Sequence, residues 1–193
     1  MNNFQAIATF DPLPLLHQIW RQDGLWKEDT YLRDYPQGPF KNTETIFLRF
    51  PPASVSELEQ GKKDQHECVW MDGAIHLPAA RELIFNLMAR VQGERLGRVM
   101  INKLIPGGSI YPHADTTEHA QYWDRYHFVL QSKVGCNFRC GDEQTHWESG
   151  QVFWFQNAIE HEVVNNSDMD RIHMICDIRT SRFNFKGMNT QTV

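Results

Sequence analysis

From Arg98 onward the chain divides into short β-branched and aromatic segments: RVMINKLI, RYHFVLQS, NFRC, QVFWFQ, HEVVNN and RIHMICDIR. Between them lie PGGS, CGDEQ, ESG and NNSDMD, clusters whose Gly, Asn, Asp and Ser residues supply turn geometry. Strands at this spacing predict a β-sandwich or barrel of the jelly-roll or cupin-like kind, within a mainly β fold that also carries helices (α+β).

The N-terminal part has a different pattern. Between Pro78 and Gln92, Ala80, Leu83, Ile84, Leu87, Met88 and Val91 recur at helical spacing, and Pro78 suits a first-turn position. This helix is expected to cover one sheet. A shorter helix is expected over Leu15 to Arg21, with loops through the rest of the first forty residues, where Pro12, Pro14, Pro36 and Pro39 interrupt regular structure. Thr45 to Phe50 predicts a strand ended by Pro51 and Pro52, and the polar stretch Ser54 to Glu67 reads as a surface excursion. At 193 residues one domain is expected, with residues 1–97 supporting a core at 98–180.

Net charge is -5 and no long Lys/Arg run occurs, so nothing electrostatic points to nucleic acid or an anionic membrane surface. No apolar stretch reaches membrane-spanning length, and MNNFQAIATFDPLPLL lacks the basic start and apolar centre of a secretory signal. A soluble cytoplasmic protein is expected. Cys68, Cys136, Cys140 and Cys176 are too few and too irregular for a disulfide framework, and the C-x-x-x-C pair alone is a weak zinc pattern.

Chemistry concentrates in four residues. His113 and Asp115 form a His-x-Asp pair, His161 follows 48 positions after His113, and Arg171 follows ten positions later. Two imidazoles and one carboxylate on one side of a metal are the ligand set of non-heme Fe(II) oxygenases. A fixed guanidinium in addition suits an oxygenase that uses 2-oxoglutarate, because its planar fork matches a carboxylate at two points. His113 is expected at the end of a strand after a Gly-Gly turn, and His161 at the start of one, so both would open on one cavity.

Strand parity extends the set. Side chains alternate across a strand, so Arg171, His173, Ile175 and Asp177 share one face, as do Arg125, His127 and Val129. A face carrying two Arg and two His is costly to bury without an anion or a metal. Tyr122 and Trp123, close after the His-x-Asp loop, are candidates for a substrate wall.

Plainer roles compete with these. Asp115 suits a cap for the helix expected in TTEHAQYW, Arg171 a partner for Asp170 or Glu162, and His127 a hydrogen-bonded core position. His17, His66, His76, His119 and His146 have no partner at metal spacing, and Trp20, Trp26, Trp70 and Trp154 read as packing.

The segment INKLIPGGSIYPH, the pair Arg125-x-His127, the strand GQVFWF and the run HEVVNNSDMDR resemble the aspartyl/asparaginyl β-hydroxylase family of Fe(II)- and 2-oxoglutarate-dependent oxygenases. The resemblance covers about residues 98–180 and implies a double-stranded β-helix core, with Fe(II), 2-oxoglutarate and O2 as cofactors. It implies that His113 and His161 ligate iron, that Arg171 grips the distal carboxylate of 2-oxoglutarate, and that Arg125 and His127 contact its chelating end. Asn102 stands where the family often has a small hydroxyl residue, and His173 joins it as a candidate cosubstrate contact. Vertebrate members have glycine in place of Asp115, so this chain looks like a version with the complete triad.

The reaction implied is hydroxylation of an unactivated C–H bond in a free amino acid such as proline, or in a peptidyl residue, with release of succinate and carbon dioxide. A small amino-acid substrate predicts a further Arg for its carboxylate, and Arg21, Arg33 and Arg49 are candidates. Two other readings share the barrel: a cupin-like metal enzyme that does not use 2-oxoglutarate, and a non-catalytic barrel that binds an acidic ligand.

Overall fold

Two antiparallel sheets carry the fold, in a computed structural model that describes residues 2–36, 38–51 and 66–181. The N-terminal part forms β1 (Phe4–Thr9), α1 (Leu13–Trp20), a 3-10 turn (Asp23–Lys27), α2 (Tyr31–Asp34) and β2 (Thr43–Phe50). Then come β3 (Val69–Trp70), α3 (Gly73–His76), α4 (Ala79–Arg90), β4 (Gly93–Leu104) and β5 (Ser109–His113). The remainder is α5 (Thr117–Tyr122), β6 (Asp124–Gln131), β7 (Cys136–Cys140), β8 (Glu143–Thr145), β9 (Gln151–Phe155), β10 (His161–Asn165) and β11 (Arg171–Thr180).

The major sheet runs β1-β9-β6-β11-β4-β2-β3 and the minor sheet β5-β10-β7-β8. Apolar side chains from their facing sides, Leu104, Val129 and Phe155 from one and Ile110, Phe138 and Val163 from the other, close the space between them. On the opposite face of the major sheet, Ile172, Met174, Cys176 and Ile178 of β11 pack with Leu15, Leu16 and Ile19 of α1 and with Ala80, Ile84 and Leu87 of α4. The helical layer therefore covers one sheet, as its periodicity predicts, and the core is a double-stranded β-helix.

Three features differ from the sequence reading. The first forty residues contain β1, which forms the edge beside β9 with Phe4 opposite Phe155. Its own burial alternates poorly, so its strand character comes from pairing with β9 rather than from a repeating apolar pattern. Secondly, β4 begins at Gly93 rather than Arg98 and runs straight through Gly97, because the Trp123 ring lies where a Cβ at Gly97 would stand, 2.9 Å from it. Thirdly, Glu143 and Gln144 of the expected turn CGDEQ belong to the strand β8, and the turn is confined to Gly141 and its neighbours. Strands β1 to β3 and the start of β4 come from residues 1–97, so the major sheet draws on both parts of the chain. The excursion expected over Ser54 to Glu67 falls almost wholly outside the described residues.

Gly107 deserves its glycine: it turns the chain between β4 and β5 at φ +74°, a conformation that side chains with a Cβ rarely adopt. Its N–H donates to the carbonyl of Asn165, which ties this turn to the end of β10. The strand carrying His113 is thus fixed at its start.

Candidate active site

His113 and His161 face each other across the β5–β10 ladder as direct partners, with ring centroids 4.3 Å apart. Each ring is oriented by its own backbone neighbourhood. His113 Nδ1 lies 2.7 Å from the Tyr111 carbonyl and His161 Nδ1 2.8 Å from that of Ile159. A carbonyl only accepts, so both Nδ1 atoms carry the proton and both Nε2 atoms keep a lone pair for a metal. Burial lowers both pKa values, that of His161 to about 4 with His113 as the second cause, so both imidazoles are neutral at pH 7.

Asp115 lies just beyond β5, and its side chain is immobilised from two sides. Its Oδ2 accepts from Asn157 Nδ2 at 2.8 Å and from Arg125 Nη1 at 2.7 Å, while its backbone N–H donates to the Asn157 carbonyl. Burial alone would raise its pKa, but Arg125 and Asn157 hold it below the ordinary carboxylate value. The ligating atoms of His113, Asp115 and His161 all lie within 4.8 Å of one another. Neutral imidazoles with free Nε2 atoms and an ionised, oriented carboxylate fit a divalent transition metal.

The three residues open on a cavity of about 110 Å³ whose walls include Asn102, Arg125, His127, Phe138, Phe155 and Arg171. Arg171 is buried (3% exposed), and among the described residues no carboxylate lies within ion-pair distance of it. Burial pushes its pKa down to about 10, so it stays charged at pH 7. The partners available by sequence are used otherwise: Glu162 takes Arg139, and the Asp170 carbonyl takes Gln131. A guanidinium buried without an anion is costly, and a ligand carboxylate removes that cost.

Around Arg171 lies a group of buried polar atoms with no partner in the protein: Asn102 Nδ2 and Oδ1, His127 Nε2, His173 Nε2 and Trp147 Nε1. They are contiguous. Asn102 is opposite His173 in the β4–β11 ladder, and the Trp147 ring lies 5.5 Å from His127 and 6.0 Å from His173. Each unsatisfied group costs on the order of 1–3 kcal/mol, so their concentration beside an unpaired Arg marks a polar ligand site. Strand parity placed Arg171, His173, Ile175 and Asp177 on this side of β11, with the helical layer on the other.

A family model for aspartyl/asparaginyl beta-hydroxylase matches residues 59–181. The chain belongs to the aspartyl/asparaginyl beta-hydroxylase family. The Mus musculus aspartyl/asparaginyl beta-hydroxylase is 31% identical over 121 residues, which are 62% of this chain and 15% of that protein. The Homo sapiens protein is 30% identical over the same length. This chain thus spans about one seventh of the curated relatives it matches. Among solved structures, a Trichoplax adhaerens prolyl hydroxylase, in complex with a hypoxia-inducible-factor peptide, aligns with TM-score 0.61 at 12% identity. That alignment covers 93% of this chain and 84% of the other. A 2OG-Fe(II) oxygenase family oxidoreductase from Burkholderia pseudomallei aligns with TM-score 0.54 at 16% identity over 84% of this chain and 78% of the other. These structures share the double-stranded β-helix.

For this family member, several sequence assignments take a different form in the structure. Arg125, expected at the chelating end of the cosubstrate, lines the cavity and is also held within the protein: its Nε and Nη2 donate to Asp177, its Nη1 pairs with Asp115, and Nη2 also meets His119 Nε2 at 3.1 Å. It acts on Asp115. Tyr122 and Trp123 are absent from the described lining of the 110 Å³ cavity. Trp123 is buried against Gly97, and Tyr122 stacks on His66 with ring centroids 3.6 Å apart while Arg95 donates to its hydroxyl. Neither ring reaches the described lining of that cavity, so proximity to Asp115 in sequence did not bring them to it.

The structure also adds residues that spacing does not reveal. Asn157 orients Asp115 from the loop before β10, and Asp177 and His119 complete the Arg125 network, with His119 Nε2 3.0 Å from Asp177 Oδ2. Asp177 lay on the correct face by parity, but nothing in the sequence linked it to Arg125 rather than to solvent. Arg33 pairs with Asp34 and Arg49 donates to the Leu96 carbonyl, whereas Arg98 lines the cavity.

Proposed function

We propose that this protein is an Fe(II)- and 2-oxoglutarate-dependent dioxygenase that hydroxylates an unactivated C–H bond of a small molecule or a peptidyl residue. The observation that carries the reading is the pairing, in one cavity, of a complete His-Asp-His set with a buried Arg171 that has no carboxylate partner among the described residues. When bound, iron with 2-oxoglutarate and O2 supplies the oxidising power that turns C–H into C–OH, while the keto acid becomes succinate and carbon dioxide.

The chain's own residues orient and insulate. His113 and His161 present Nε2, and Asp115 presents the oxygen that Asn157 and Arg125 leave free. In this reading Arg171 grips the distal carboxylate of the cosubstrate and Arg125 with His127 meets its chelating end; the unpartnered amide of Asn102 and Nε2 of His173 support further contacts there. Phe138, Phe155, Ile110 and Val163 form apolar walls that keep water from the reacting atoms. Its four buried free thiols support a reducing, cytoplasmic setting, and no described helix is long and apolar enough to cross a membrane.

The test is anaerobic addition of Fe(II) and then 2-oxoglutarate. Wild type is expected to develop a visible metal-to-ligand charge-transfer band, His113→Ala to lose it through loss of iron, and Arg171→Ala to require far more 2-oxoglutarate. A band that survives unchanged in both variants would falsify the reading. Iron binding without any effect of 2-oxoglutarate points instead to a cupin-like enzyme whose Arg171 holds a substrate acid.

A further inference from the structure

The inner face of β4 carries Asn102, Met100 and Arg98 in succession, and Arg98 lines the same cavity as Arg171 and the carboxylate-paired Arg125. Asn102 lies opposite His173 in the ladder, whereas Arg98 lies four residues away, about 13 Å along the strand. Met100 and Ile175, ladder partners, separate the two cationic ends with apolar surface.

Arg98 is half-buried, and its guanidinium lies 5.4 Å from the centroid of the Phe50 ring, another residue of the cavity wall. Among the described residues no carboxylate pairs with it. Asp177, across the ladder from this stretch of β4, gives its oxygens to Arg125 and His119. Asp115, the carboxylate in the cavity wall, is held by Arg125. Arg171 lies 3.0 Å from His173 Nδ1 and shares the cavity lining with the unsatisfied amide of Asn102, a polar setting for a dicarboxylate; Arg98 lies over Phe50 and shares the lining with Met100 and Leu32, an apolar setting with one charge.

We propose that Arg98 is the recognition point for a carboxylate on the substrate, and that the substrate is a free organic acid whose apolar body lies along Met100, Ile175 and Phe50. This rests on the oxygenase reading, which assigns Arg171 to the cosubstrate and leaves Arg98 for the substrate. A guanidinium fork pairs with a carboxylate at two points, while a peptide amide at the same place offers one neutral acceptor. Arg98 therefore selects free acids over internal peptide residues.

The experiment compares wild type, Arg98→Ala and Arg98→Lys. Each is loaded anaerobically with Fe(II) and 2-oxoglutarate, and succinate release in air is measured with free L-amino acids and their C-terminal amides. The charge-transfer band is expected in all three proteins. At least one free acid should stimulate succinate release in wild type, and its amide at least tenfold less. Arg98→Ala should raise KM for that acid by about ten- to a hundredfold, more than it lowers kcat, with partial recovery in Arg98→Lys. Equal use of acid and amide, an unchanged KM in Arg98→Ala, or a formed band with no free acid accepted each overturns the proposal. Loss of the band in Arg98→Ala alone leaves the decision to the acid-against-amide comparison in wild type. Absence of the band from wild type overturns the oxygenase reading instead.

Discussion

Asp115 shows how one carboxylate is prepared for a metal: Arg125 and Asn157 both bond to its Oδ2, which restrains the group and leaves Oδ1 without either of these bonds. Replacing Asn157 by Ala removes one restraint and keeps the charge. Iron affinity is expected to fall about 10- to 100-fold, read by titration of the apoprotein, with folding retained. At Arg171 the decisive property is shape as well as charge. Arg171→Lys keeps a cation but loses the bidentate fork, so the 2-oxoglutarate requirement should rise by on the order of tenfold or more at unchanged iron affinity, measured through the charge-transfer band. The polar rows on β6 and β11 were legible in the sequence because side chains alternate with a period of two, and that rule needs no tertiary information. The partners of those rows were not. Arg125 was expected as a cosubstrate contact, and its pairing with Asp177 and Asp115 through three nitrogens had no signal in the sequence; Arg98 began a predicted strand, but nothing in the sequence brought it to the cavity that also holds Arg171.

Elements place these residues through register. β4 reaches the cavity because Gly97 lets it pass beneath the Trp123 ring, and Trp123 caps α5, the helix that carries His119 to Asp177. A methyl at Gly97 would stand 2.9 Å from that ring, which is itself buried. Gly97→Ala is expected to cost about 1–3 kcal/mol, read as a lower urea midpoint. Because Trp123 N donates to the His119 carbonyl at the end of α5, a shift of Trp123 disturbs the helix that carries His119, and the variant should also bind iron less well than a destabilised variant of the helical layer, such as Ile84→Val. The helical layer was the easiest part to read, since α4 repeats its apolar residues over three turns, whereas β1 and β8 depend on neighbours distant in the chain.

Over the whole molecule, Asp177 is the acid on which the buried charge network rests. It is fully buried, and although burial opposes its ionisation, Arg125 and His119 hold its pKa below the ordinary carboxylate range. Its folded pKa lies below its unfolded value of about 3.9, so the stability it contributes is fully present above the unfolded value and is lost as pH falls from there through the folded one. Asp177→Asn is expected to cost about 3–5 kcal/mol at pH 7, because it strands Arg125, and to flatten the stability decline below about pH 4. Urea unfolding at several pH values measures both effects; an unaltered acid limb sinks the assignment. The ladder position of the two histidines has a further consequence. His113 and His161 are neighbours across β5 and β10 but 48 residues apart in the chain, so an ion held by both is a cross-link that closes a long loop. Metal then acts as a removable staple on the minor sheet, and amide exchange in β5 and β10 should slow on adding Fe(II) or Zn(II) while exchange in the helical layer stays the same. At a metal concentration a hundred times Kd the folded state gains about 2.7 kcal/mol, so the melting temperature becomes a gauge of metal occupancy even when no turnover takes place.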